Sequence, residues 1–112
     1  PMTKEEIQKV EDIVNEKISE DLPVTMRVMS LDEAKAEGAR ALFTNKYGES
    51  VKVYTVGRDP KTDWFSKEVC GGPHVQHTAQ IGKFKIEKEQ PSSAGVRRIR
   101  ATISGGLPLD SQ

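Results

Sequence analysis

Apolar residues recur at Ile7, Val10, Ile13, Val14 and Ile18, close to the 3.6-residue period of an amphipathic helix. Thr3-Lys4-Glu5-Glu6 precedes them and matches a capping box, with Thr3 as N-cap and Glu6 reaching back to it. Lys4, Glu5, Lys9, Glu11, Asp12, Glu16 and Lys17 fill the other positions and read as a solvated face. The helix is expected to stop before Pro23. There the period drops to two: Leu22, Val24, Met26 and Val28 alternate with Pro23, Thr25, Arg27 and Met29, which predicts a half-buried strand on the first set. Ser30-Leu31-Asp32-Glu33 is a second capping box, opening a short helix that Gly38 ends.

Residues 39–47 are ambiguous, readable as one more helical turn anchored by Leu42 and Phe43 and running into a turn at Tyr47-Gly48. Residues 51–56 are rich in β-branched and aromatic types and predict a strand covered on both faces. A polar loop around Asp59-Pro60 follows, then a short strand over 65–69 that delivers Cys70. Phe84 and Ile86 alternate with Lys83, Lys85 and Glu87 as another half-buried strand. Pro91-Ser92-Ser93-Ala94-Gly95 has the length of a hairpin turn. Residues 96–104 then close the sheet, with Ile99, Ala101 and Ile103 on one face and Arg98, Arg100 and Thr102 on the other.

Helix, strand, helix and then strands without helical crossovers predict an α+β domain, a mainly antiparallel sheet packed with two or three helices. The expected organisation is a single domain over 1–104, with 105–112 as a linker or tail. Composition narrows this. With 35% apolar and 5% aromatic residues in 112, the core is modest and expected between one sheet and a few helices. Seventeen basic and seventeen acidic residues cancel, so net charge gives no general steering toward nucleic acid. One cysteine excludes an internal disulfide and suits a reducing compartment. No apolar run approaches the roughly 18 residues of a membrane helix, and no signal-peptide pattern opens the chain. The expectation is a cytoplasmic protein without a membrane or DNA partner. Pro1 before Met2, with helical sequence starting at once, suggests a piece cut from a longer chain.

The candidate chemistry centres on Val69-Cys70-Gly71-Gly72-Pro73-His74-Val75. Cys70 and His74 stand as C-x3-H around a Gly-Gly pair expected to fold tightly, and a thiolate with an imidazole makes half of a zinc site. The plainer alternative is that Cys70 is a small buried hydrophobe. His77, three residues after His74, would share one side of a helical turn with it or be a surface histidine. Asp63 and Glu68 could add oxygen ligands, though their spacing does not single them out. Arg97-Arg98-Ile99-Arg100 is the densest positive cluster, open to phosphate contact or to ordinary surface and ion-paired roles. The alternating charges of 83–89 are expected to form cross-strand pairs. There is no P-loop, G-x-S-x-G or H-E-x-x-H, so nucleotide hydrolysis and serine or zincin chemistry find no support.

Cys70-Gly71-Gly72-Pro73-His74-Val75, then Ile81-Gly82-Lys83-Phe84-Lys85-Ile86 and Gly95-Val96-Arg97-Arg98-Ile99, resemble the editing domain of alanyl-tRNA synthetase. That domain is shared with free-standing alanyl-tRNA editing proteins and related to the editing domain of threonyl-tRNA synthetase. Upstream, Val14-Asn15-Glu16-Lys17-Ile18, Leu22-Pro23-Val24, Glu33-Ala34-Lys35 and Gly38-Ala39-Arg40-Ala41-Leu42-Phe43 resemble the segment before the family's cysteine motif. The resemblance runs from Ile7 to Ile103 and implies the second half of such a domain. It implies hydrolysis of seryl- or glycyl-tRNA made for alanine, at a zinc held by an upstream H-x3-H pair together with Cys70 and His74. Its implied partners are the tRNA acceptor end and the rest of an ATP-binding synthetase. Gly71, Gly72, Arg97 and Arg98 become candidates for substrate or tRNA contact.

The chain departs from the family pattern twice. Its first histidine is His74, so the upstream H-x3-H is absent. Pro73 stands where alanyl enzymes usually carry threonine, closer to the threonyl version, and removes a hydroxyl and an N–H beside the site. The expectation is therefore a chain poor in metal and with little hydrolytic activity alone, cut from an active parent. Two other readings are a non-catalytic tRNA-binding module on the same scaffold and a free-standing trans-editing protein.

Overall fold

The computed structural model describes residues 1–41 and 47–106. Its elements are α1 (Lys4–Ser19), β1 (Val24–Met29), α2 (Leu31–Ala36), β2 (Val51–Asp59), β3 (Asp63–Val69), a 3-10 turn (Thr78–Ile81), β4 (Lys83–Ser93) and β5 (Val96–Ser104). All strand pairing between these elements is antiparallel, so the fold class is α+β. The chain forms two compact units, one of Leu22–His77 and one of Pro1–Asp21 with Thr78–Gln112. Leu42 and Phe43, proposed as helical anchors, and tail residues 107–112 lie outside the described residues.

In the first unit the strands run β1-β2-β3. Both faces of β2 were expected to be covered, yet its burial alternates. Val51, Val53, Thr55 and Gly57 are buried, whereas Lys52 is exposed and Tyr54 and Val56 are half-buried. The reason lies in the register. Met29 pairs with Val51, Arg27 with Val53 and Thr25 with Thr55, which brings the odd residues of β1 to the buried side. Met26 and Val28 of the apolar set therefore point away, 46% and 60% exposed, while Leu22 ahead of the strand is buried. Ala34 of α2 packs with Val51 and Val53 as the core, and Met29, Leu31, Ala39, Tyr47 and Val69 surround it.

A charged lock closes the same side of this sheet. Glu37, just past α2, accepts from Arg27 Nη1 at 3.2 Å and Nη2 at 2.6 Å, and from Lys67 Nζ at 3.1 Å. The Lys67 side chain is 1% exposed; its Nζ also donates to the Pro60 carbonyl at 2.8 Å and lies 4.4 Å from the centre of the Trp64 ring. These donors hold the Glu37 carboxyl down at about 2, the Arg27 hydrogen bonds contributing most and Lys67 next.

In the second unit α1 starts where the capping box predicts: Glu6 N donates to Thr3 Oγ1 at 3.1 Å and Thr3 N to Glu6 Oε1 at 2.9 Å. The polar side of this helix is more than solvated surface. Asn15 donates to Phe84 O at 2.9 Å and accepts from Phe84 N at 2.8 Å, while Glu11 accepts from Ile86 N at 2.8 Å. Four residues of helix rise about 6.0 Å and two of strand about 6.7 Å, so Glu11 and Asn15 match the outward backbone groups of an edge strand. With that edge occupied, β4 and β5 form a two-stranded sheet of their own rather than closing the sheet of β1–β3. The β4 ladder runs on through Pro91 to Ser93, and the turn is only Ala94-Gly95, with Gly95 at φ +72°. Pro91 is tolerated because an edge strand can spare its N–H.

Candidate functional site

Cys70 follows β3 directly, and its N–H donates to the Lys52 carbonyl at 3.1 Å, carrying the ladder one residue beyond Val69. Continuing the alternation puts Cys70 on the side of Lys52, Tyr54 and Glu68, opposite the Val53 core. The backbone N–H of Gly72 points to Cys70 Sγ at 3.4 Å. The exposed His74 ring stacks on Tyr54, with ring centres 3.9 Å apart and planes 18° apart. Stacking engages the face of the imidazole and leaves its two nitrogens, which lie in the ring plane, free of that contact. The C-x3-H motif is thus spread over one open side of the sheet, with Cys70 at the end of β3 and His74 across on β2.

Tyr54 is the residue that sequence reasoning missed. It lay inside a strand read as covered on both faces, and only the true alternation of β2 assigns it to the Cys70 side. Gly71 and Gly72 differ from expectation as well, since neither takes a left-handed backbone. A Cβ at Gly71 would meet nothing within 4 Å, and one at Gly72 would lie 3.7 Å from Cys70 Sγ. Of the two, only Gly72 stands where a side chain would touch the thiol, and Cys70 itself is half-buried. His77 does not share a helical turn with His74. Residues 73–75 have no regular structure, and His77 bridges to Pro23 while Gln76 O accepts from Val24 N at 2.9 Å. Among the described residues no three His, Cys, Asp or Glu side chains cluster as a metal site, so Asp63 and Glu68 do not complete the Cys70–His74 pair.

Residues 51–100, which hold all of this geometry, match the family described as the threonyl and alanyl tRNA synthetase second additional domain. This stretch belongs to that family. The chain is similar to the alanyl side over nearly its full length. It is 58% identical to the alanine–tRNA ligase of Treponema denticola across 92% of this chain and 16% of that protein. It is 52% identical to alanine–tRNA ligase 1 of Lachnoclostridium phytofermentans across 95% of this chain and 11% of that protein. Against the alanine–tRNA ligase of Thermus thermophilus the figures are 52%, 90% and 12%. The chain thus spans under a fifth of the length of these relatives.

The remaining predicted residues of this second additional domain lie in the β4–β5 unit, and neighbours in sequence have opposite roles. Arg97 is bound by Glu89 through Nε and, at 3.1 Å, through Nη2. The Glu89 side chain is 4% exposed and also accepts from Met2 N at 3.1 Å. The Arg97 bonds hold the Glu89 carboxyl below its ordinary range, and Glu89 in turn raises Arg97. Arg98 and Arg100 are exposed, and among the described residues neither side chain forms an ion pair or hydrogen bond. The cross-strand pairs expected along 83–89 reduce to that Glu89–Arg97 pair, with Glu87 instead accepting from the Thr102 hydroxyl at 3.4 Å. No helix among the described residues is long and apolar enough to cross a membrane.

Proposed function

We infer that this chain is the part of an alanine–tRNA ligase that supplies Cys70 and His74 to a site hydrolysing tRNA mischarged with serine or glycine. The observation that carries the reading is the placement of Cys70 and His74 on one open side of the sheet, within the residues that match the family. Thiol and imidazole are donor types that zinc favours, but a zinc site takes three or four protein ligands. The donors present do not complete that set, so no step is routed through a metal here. The chain's own contribution is a half-buried thiol with only Gly72 beside it and an imidazole stacked on Tyr54. Pro73 leaves that approach without a hydroxyl or an N–H of its own. The acceptor end of alanine tRNA and the rest of the synthetase are the partners this reading requires, in a cytoplasmic enzyme whose ligase reaction uses ATP.

Deacylation of seryl-tRNA tests it. The chain alone should release no serine above the buffer rate. Supplying the segment that precedes the matched region in the Treponema denticola relative should restore release, which Cys70→Ala or His74→Ala should abolish. Full activity of the isolated chain would overturn the incomplete site. Near-stoichiometric zinc that survives Cys70→Ala would remove Cys70 from the ligand set. A second reading, a tRNA-binding module without catalysis, is favoured by the unpaired arginines of β5; it predicts tRNA binding with no deacylation under any of these conditions.

A further inference from the structure

Zero net charge hides a strong segregation within one unit. Residues 1–21 carry three basic and seven acidic side chains, whereas residues 83–104 carry six basic and two acidic. The register sorts the latter further. Lys83 pairs with Ser104, Lys85 with Thr102, Lys88 with Arg100 and Gln90 with Arg98, and residues opposed across an antiparallel pair project to the same side. Lys83, Lys85, Lys88, Arg98 and Arg100 therefore share one side of the hairpin, all exposed and, among the described residues, none in an ion pair. The register shift after Ile86 is what keeps Lys88 with them. The opposite side carries Ile86, the Glu89–Arg97 pair, Ile99, Ala101 and Ile103. Glu87, engaged by Thr102, is the single carboxylate on the basic side of the hairpin.

We propose that this basic side, Lys83, Lys85, Lys88, Arg98 and Arg100, is the surface on which the chain holds the phosphate backbone of tRNA, and that Arg97 has no part in it. The proposal rests on tRNA being the partner, as inferred above, and charge complementarity selects the surface. From Lys83 to Lys88 the strand spans about 17 Å, with cations roughly every 7 Å along it and across to β5. That spacing corresponds to about every second phosphate of a nucleic-acid strand, which carries one per about 3.4 Å of axis. Arginine forks and lysine ammoniums on a flat surface suit phosphate oxygens. No aromatic ring lies on that side for a base to stack on, so the surface positions the backbone and does not read sequence. Arg97 is excluded because its guanidinium is committed to a nearly buried carboxylate.

The test is binding of purified alanine tRNA to the 112-residue chain at 50 and 200 mM salt. Five phosphate contacts predict a logarithmic salt slope of about −3.5 to −4.5, hence about 100- to 500-fold weaker binding at the higher salt. Arg98→Gln and Arg100→Gln should each flatten the slope by about 1, and changing all five to glutamine should abolish binding at 50 mM. Arg97→Gln should leave the slope unchanged. Wild-type affinity in the five-fold variant, no binding of tRNA by the parent chain, or an Arg97 effect equal to that of Arg98 would overturn the proposal. The single variants keep the test decisive should the five-fold variant fail to fold. Binding is read without deacylation, so loss of the editing reading and loss of this surface give different results.

Discussion

The sheet of β1–β3 and the hairpin of β4–β5 are both antiparallel, yet opposite means hold them. The three-stranded sheet has a packed side, with Ala34 and Val53 fully buried and a charged lock closing it. The hairpin has one deeply placed apolar residue, Ile86, while β5 is exposed along its whole length. Its order comes from side chains of α1 bonded to the outer backbone edge of β4. A packed sheet can leave its other side open for chemistry, and here Cys70, Tyr54 and His74 occupy it. A braced hairpin can leave a whole side to charge. The difference explains how a small chain with a modest core leaves two surfaces open.

The largest expected effect would break the hairpin side of this comparison. Gly82 enters β4 at φ +86°, and a Cβ there would lie 2.2 Å from the Ser104 carbonyl oxygen. Gly82→Ala should cost about 3 kcal/mol or more, read by denaturant unfolding. Next comes the packed core. Val53→Ala should cost about 2–3 kcal/mol through lost burial and a cavity, whereas Ile103→Ala, on exposed β5, should cost under about 1 kcal/mol. Equal costs would erase the distinction between packed and braced. Asn15→Ala leaves the Phe84 N–H and carbonyl without their partner and should cost about 2 kcal/mol, with faster amide exchange confined to Phe84 and its neighbours.

The lock on the packed sheet gives a pH signature of its own, beside the lowered Glu89 carboxyl of the hairpin. Glu37 is held below its unfolded value of 4.5, at about 2. Its stabilisation is fully present above about pH 4.5 and is lost as pH falls toward 2, because the unfolded chain takes up that proton first. Glu37→Gln should flatten the acid limb of stability over that window. The smallest effects belong to the site itself. Cys70→Ala and His74→Ala should move stability by about 1 kcal/mol or less, since His74 is exposed and its main contact is one ring stack. A larger loss would make Cys70 a packing residue, the plainer alternative raised by its sequence.

Local signals were readable without a structure. Both capping boxes form as written, because Thr3-x-x-Glu6 and Ser30-x-x-Glu33 satisfy their own backbone donors within four residues. The C-x3-H motif and the separated family motifs likewise pointed to the threonyl and alanyl second additional domain, since they depend only on residue order. What misled was alternation without a partner. Val24, Met26 and Val28 look like a buried face until β2 sets the register, and a period of two cannot say which side the core occupies. The same limit hid Tyr54 behind an apolar run; alternation did set Arg97 opposite Arg98 and Arg100, but could not supply its partner Glu89.

Amino-acid order by itself determined the helices, the strand content, the α+β class and the identity of the motif around Cys70, because each depends on neighbours a few residues apart. Tertiary structure alone decided that the strands divide into two sheets, that Tyr54 carries His74, and that Glu89 withdraws Arg97 from a row of cations. Those outcomes depend on pairings across tens of residues, from Glu11 to Ile86 and from Val51 to Met29, where register and edge occupancy, rather than residue type, choose the neighbours.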